Sequence, residues 1–213
     1  MDISTLLIIA VTAVFSIIGF DNRNLFERFK FNVYAILEQK QWDRLVSSAF
    51  LHADWTHLIF NMLTFYFFAP SVIAYIGVGE FLTIYFVAIL GGNFLTLFMY
   101  RKNTSYSAIG ASGGVSGVLF AAIALDPHIG IMIMFIPIPI PGWIFAIFYL
   151  AYSIYGMRSS LGNIGHAAHL GGAAIGFILA IAFFPQTLYY NMPILAIMLV
   201  PLIVLGHFVY RQR

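Results

Sequence analysis

Gly110-Ala111-Ser112-Gly113-Gly114-Val115-Ser116-Gly117 opens an apolar run that continues to Leu125. Gly113 and Gly117 are four residues apart, so on a helix they share one face and form a G-x-x-x-G surface that lets a second helix approach closely. The same spacing recurs at Gly172 and Gly176, directly after His169, in another apolar run. The two stretches predict a pair of closely packed helices, and that contact can bring His169 to Ser112. A serine, histidines and an asparagine kept in apolar segments are costly without partners, which points to chemistry inside a bilayer.

The surrounding composition requires the bilayer. Hydrophobic residues make up 62% of the 213 positions and charged residues 8%, and the mean hydropathy is +0.93. Soluble domains carry about 25% charged residues. Apolar segments at roughly 3–20, 55–77, 79–100, 109–126, 142–157, 165–184 and 191–210 predict seven spans and an all-α polytopic membrane protein, folded as one membrane domain over residues 1–213. The fourth and fifth spans are short, and Pro137, Pro139, Pro141 and Gly142 predict an extended segment before the fifth. Residues 21–44 hold five of the ten Lys and Arg together with Phe26, Phe29, Phe31 and Trp42, a mixture expected at the headgroup level. The first apolar run follows Asp2 with no basic leader or cleavage site, so it reads as a retained helix, and the lack of a transit-like leader points to a prokaryotic cytoplasmic membrane. The absence of cysteine excludes disulfides and a thiolate nucleophile, and a net charge of +2 gives no reason to expect nucleic acid as a partner.

His57 and Asn61, four residues apart, project from nearly the same face of the second span. Two neutral donors beside a nucleophile are what a developing oxyanion needs, and one such donor is worth about 3 kcal/mol in a transition state. His52 precedes that helix beside Asp54 and Trp55. A histidine within reach of Ser112 would act as general base toward the hydroxyl and then as general acid toward the leaving amine. The eight carboxylates, Asp2, Asp21, Glu27, Glu38, Asp43, Asp54, Glu80 and Asp126, all fall at span ends or in connections. The expected site is therefore a Ser-His dyad, not a triad. There is no H-E-x-x-H for a zinc protease and no embedded aspartate pair, so no metal or other cofactor is expected.

In this arrangement the chain resembles the rhomboid intramembrane serine proteases. The resemblance rests on His52, His57 and Asn61 in the spacing H-x4-H-x3-N, on Gly110-Ala111-Ser112-Gly113, and on Ala168-His169-Leu170-Gly171-Gly172 followed by Gly176, in that order along the second, fourth and sixth spans. It implies a six-helix core over about residues 3–184 and an additional C-terminal span at about 191–210. It also implies Ser112 as nucleophile and His169 as base. The Ser112 N–H, His57 and Asn61 would form the oxyanion hole, with Gly110 beside them and His52 in support. The substrates implied are transmembrane segments of other proteins, unwound locally near Gly, Ser, Ala or Pro, with water entering under the loop at about 155–165. Arg44 resembles the arginine of the family's first-loop motif, although Asp43 separates it from Trp42.

Ser116 lies one turn beyond Ser112 within a second G-x-S-G, and both serines stand as candidate nucleophiles. The family often carries an aromatic residue four positions after the nucleophile, against the histidine ring. Counted from Ser112 that position is Ser116 itself, and counted from Ser116 it is Phe120. The wording Gly110-Ala111-Ser112-Gly113 favours Ser112. Plainer roles exist for each residue. A serine in a glycine-rich helix is often a packing residue, His57 with Asn61 forms a helix–helix hydrogen bond equally well, and His166, His169, His52 and His57 would suit zinc were an acidic ligand present. An inactive, client-binding member of the family and a small-molecule transporter are the alternative functions. The family orientation places the N-terminus in the cytoplasm, whereas all ten Lys and Arg fall on the site side, which the positive-inside rule assigns to the cytoplasm.

Overall fold

The computed structural model describes residues 2–133, 136–159 and 165–211. Asp2 caps α1 (Ile3–Asp21) by accepting the Ser4 N–H, and Asn22 caps α2 (Arg23–Phe29) by accepting that of Leu25. Two-residue strand β1 (Phe31–Asn32) leads into α3 (Val33–Leu37), α4 (Arg44–Ser47) and a 3-10 turn at Ser48–Phe50. Asp54 then caps α5 (Trp55–Ile76) by accepting the His57 N–H at 2.8 Å. A single glycine, Gly77, at φ +86° turns α5 into α6 (Val78–Tyr100), a backbone conformation that glycine adopts without steric cost. Strand β2 (Ser107–Ala108) precedes α7 (Ser112–Leu125), and strands β3 (Gly130–Ile133) and β4 (Ile136–Pro141) precede α8 (Gly142–Ser159). Helices α9 (His166–Phe183) and α10 (Thr187–Tyr210) complete the chain.

The protein is an all-α polytopic membrane protein, with helices at all seven predicted spans. By length and composition, α1, α5, α6, α9 and the Thr187–His207 part of α10 are able to cross a membrane. Helix α8 is diluted by Trp143, Tyr149, Tyr152, Tyr155 and Arg158. Helix α7 is apolar but has only 14 residues, or about 21 Å at 1.5 Å per residue, against a hydrocarbon core of about 30 Å. Its residues from Gly113 to Leu125 are all buried, so it lies inside the bundle, surrounded by the other helices. Ser112 is the first residue of this short central helix. The extended segment predicted at Pro137–Gly142 is strand β4, paired antiparallel with β3.

Helices α5, α6, α7 and α9 form the centre, with Phe65, Phe81, Tyr85, Phe120 and Phe177 buried among them. Close approach is built from glycine. A Cβ on Gly172 would lie 1.9 Å from the Gly113 carbonyl oxygen, and one on Gly176 would lie 1.9 Å from that of Gly117. The two G-x-x-x-G faces therefore meet backbone to backbone. On the adjoining face of α9, a Cβ on Gly171 would lie 2.8 Å from the Gly92 α-carbon of α6.

The segment before α5 is folded onto the bundle. Buried Arg44 donates to the carbonyls of Glu27 (2.9 Å) and Lys30 (2.7 Å) and to Gln41 (2.7 Å). Asn93 of α6 donates to the Leu45 carbonyl at 2.7 Å. Arg28 pairs with Asp43 and Lys30 with Glu27, each at 2.7 Å. Arg28, Lys30 and Arg44, three of the ten basic residues counted on the site side, are thus matched by protein groups.

Candidate functional site

Ser112 is the first residue of α7, where the leading N–H groups have no intrahelical acceptor. The segment leading to it, residues 107–111, is held from several directions. Strand β2 pairs with β1, Phe31 opposite Ala108 and Asn32 opposite Ser107. The Gly110 N–H donates to the Ser48 carbonyl at 3.0 Å, and the Ala111 N–H donates to His52 Nε2 at 3.3 Å. Gly110 has φ +116°, and a Cβ there would fall 2.8 Å from His57 Nε2 and 3.7 Å from Ser112 Oγ. Glycine is required here twice over, for the backbone conformation and for the room it leaves the imidazole. The effect is to bring His57 and Ser112 to the same point beside the Gly110 α-carbon.

His52 is fully buried, and its bonding pattern fixes its tautomer. Ser16 of α1 donates its hydroxyl to the Phe50 carbonyl at 2.9 Å, and its oxygen lies 2.9 Å from His52 Nδ1. With that hydroxyl proton committed, Nδ1 carries the imidazole proton and donates to Ser16, leaving Nε2 to accept from Ala111. Burial pushes the His52 pKa down to about 3, with neighbouring His57 adding to the shift and Asp54 opposing it. The neutral ring is the form this relay needs. Sequence reasoning did not single out Ser16, although a signal existed: Thr5, Thr12 and Ser16 recur along one buried stripe of an otherwise apolar helix.

Asn61 is buried and donates Nδ2 to the His57 carbonyl at 3.0 Å, one turn back. An amide has two N–H donors, so one remains for another acceptor. His169 lies on the first turn of α9, half-buried like Ser112. The two helices meet beside both residues: a Cβ on Gly113 would lie 3.4 Å from the Ala168 carbonyl oxygen. No hydrogen bond joins Ser112 Oγ to His169 among the described residues. What touches the His169 ring is Tyr149 of α8, nearly parallel at 24° with centroids 6.1 Å apart, and His166, edge-on at 6.4 Å.

Ser116, the other candidate nucleophile, is buried with its Oγ 2.7 Å from the Tyr149 hydroxyl. Nothing in the sequence pattern distinguished Tyr149 from the other aromatic residues of α8. His52 and His57 contact each other edge-on at 4.8 Å, and among the described residues no group of three or more His, Asp or Glu is placed to hold a metal ion. The loop expected to admit water, at about 155–165, lies partly outside the described residues.

The sequence matches the Rhomboid domain over residues 39–186. It is 30% identical over 138 residues to Rhomboid protein 1, mitochondrial, of Saccharomyces cerevisiae, covering 63% of this chain and 40% of that one. It is 31% identical to RHOMBOID-like protein 12, mitochondrial, of Arabidopsis thaliana, with 63% and 44% covered. It is 31% identical to Rhomboid protease GluP of Bacillus subtilis, with 70% and 27% covered. The chain spans less than half the length of each of these relatives.

Proposed function

The chain belongs to the rhomboid family, and from that premise we propose that it is an intramembrane serine endopeptidase that cuts transmembrane segments of other proteins through a Ser112–His169 dyad. The observation that carries this reading is the α7–α9 seam: Gly113 meets Ala168, so the neighbours of those two residues, Ser112 and His169, come to the same end of the same contact. Ser112 Oγ attacks the scissile carbonyl carbon while His169 takes its proton. The oxyanion forms near the free N–H groups opening α7, the His57 ring and the remaining Asn61 N–H. Collapse expels the amine with the proton from His169 and leaves an ester on Ser112, which water hydrolyses with His169 again as base. A substrate helix hides its carbonyls in its own hydrogen bonds, so it must unwind at the cut.

The dyad works within one membrane domain, the family core with α10 packed beyond it. The bacterial relative supports a prokaryotic cytoplasmic membrane as its location, whereas the two mitochondrial ones favour an organelle. A second reading is favoured by one observation, the missing Ser112–His169 hydrogen bond: a member that binds transmembrane clients without cutting them. Reconstitution with a reporter whose transmembrane segment is rich in Gly and Ala separates the two. The protease yields two fragments that disappear in Ser112→Ala and His169→Ala, whereas a client binder retains the reporter intact.

A further inference from the structure

Ser116 is buried, and its Oγ is directed toward Tyr149 of α8. Its hydrogen bond to Tyr149 joins α7, which carries Ser112, to the helix that supplies the ring against His169. Tyr149 is held by four contacts. Its hydroxyl is 2.7 Å from Ser116 Oγ, and its ring is flanked by Phe120 at 5.5 Å and Phe145 at 5.8 Å, while one face lies near-parallel to His169 at 6.1 Å. These separations fall within the range of favourable ring contacts. None of the chain's carboxylates is hydrogen-bonded to His169 among the described residues, so the imidazole plane is set by packing, and Tyr149 is the ring stacked nearly parallel to it.

We propose that Ser116 and Tyr149 form a positioning pair for His169, with Tyr149 orienting the imidazole and Ser116 holding the Tyr149 ring in place. This rests on His169 acting as the base. Ser116 then has a hydrogen-bonding role that leaves Ser112 as the nucleophile. The second G-x-S-G of the sequence belongs to the support of the base, one helical turn from the serine it resembles. The pairing spans two helices distant in sequence, so the orienting ring comes from α8 instead of from α7 itself.

The test is steady-state cleavage of a transmembrane reporter by the full chain in liposomes, with folding followed by thermal melting. The variants are Tyr149→Leu, Tyr149→Phe, Ser116→Ala and the double variant Ser116→Ala/Tyr149→Phe. Tyr149→Leu should lower kcat roughly tenfold or more, a part of what a general base contributes, with KM within about twofold because no substrate contact is removed. Tyr149→Phe and Ser116→Ala should each lower kcat by roughly fivefold, the scale of one hydrogen bond. The double variant should be no slower than the slower single, since both remove the same bond.

An unchanged kcat in folded Tyr149→Leu overturns the role of the ring. Multiplying effects in the double variant overturn the pair, with Tyr149→Phe decisive should the leucine variant fail to fold. Abolition of cleavage by Ser116→Ala also overturns the proposal, because it makes Ser116 the nucleophile. Absence of cleavage by the wild-type protein overturns the protease reading itself, and this proposal with it.

Discussion

Helices α7 and α8 both reach the neighbourhood of His169, and they are built by opposite rules. In α7 every residue from Gly113 to Leu125 is buried, and the helix meets α9 through bare backbone at Gly172 and Gly176. In α8 Gly142, Ala146, Leu150, Ser153, Gly156 and Met157 are buried, while Phe148 is 71% and Tyr155 61% exposed. Backbone against backbone leaves no rotamer to adjust, so the seam fixes where Ser112 sits relative to α9. Helix α8 makes its contribution through side chains, a ring on His169 and a hydroxyl on Ser116, whose geometry survives small shifts of the helix. Ser112 is thus placed by a contact of backbone against backbone, and His169, its base in the proposed reaction, by a more adjustable one.

That contrast predicts a hierarchy of substitutions. Gly176→Ala places a methyl group 1.9 Å from the Gly117 oxygen, and the two helices must separate. The expected cost is about 3 kcal/mol, at the upper end of overpacking, with loss of activity, as read by denaturant titration in detergent. A variant within about 0.5 kcal/mol of wild type would break the comparison.

Acid tests the anchoring of Ser112 on the same side of the site. His52 stays neutral in the folded protein down to about pH 3 because burial disfavours its charged form, whereas in an unfolded chain it takes up a proton near pH 6.5. Between those values the unfolded state binds more protons. Stability is therefore greatest above about pH 6.5 and falls by up to about 1.4 kcal/mol per pH unit below it. Melting temperature against pH should show that contribution, and His52→Gln should reduce the slope.

The smallest effect belongs to α8. A Cβ on Gly156 would lie 2.3 Å from His166 Nε2, but the obstacle is a side-chain ring and not backbone. Gly156→Ala should cost about 1 kcal/mol, well below the seam variant in the same titration. Equal costs would mean that α8 is as rigidly seated as α7.

The helices were legible because long apolar segments announce themselves by length alone, and the α7–α9 contact because equal G-x-x-x-G spacing appears in both helices. Strand β4 was visible only as alternating prolines, since its partner β3 carries no such marker. At the site, His57 and Ser112 both lie beside Gly110, a proximity that the family resemblance alone had implied. Tyr149 was not legible: its contact with His169 comes from tertiary packing, and Tyr149, Tyr152 and Tyr155 look alike along α8. Ser116, a serine where the family often has an aromatic ring, bore in the sequence only on the choice between the two candidate nucleophiles, and its hydrogen bond to Tyr149 came from the structure.

The central claim is that Ser112 is an activated nucleophile, and labelling tests it without any known substrate. Detergent-solubilised protein is treated with a fluorophosphonate probe, the modified residue is mapped by mass spectrometry, and His169→Ala is run alongside. Modification at Ser112 that disappears in His169→Ala is the predicted result. Modification at Ser116, or none in folded wild-type protein across several probes, would contradict it.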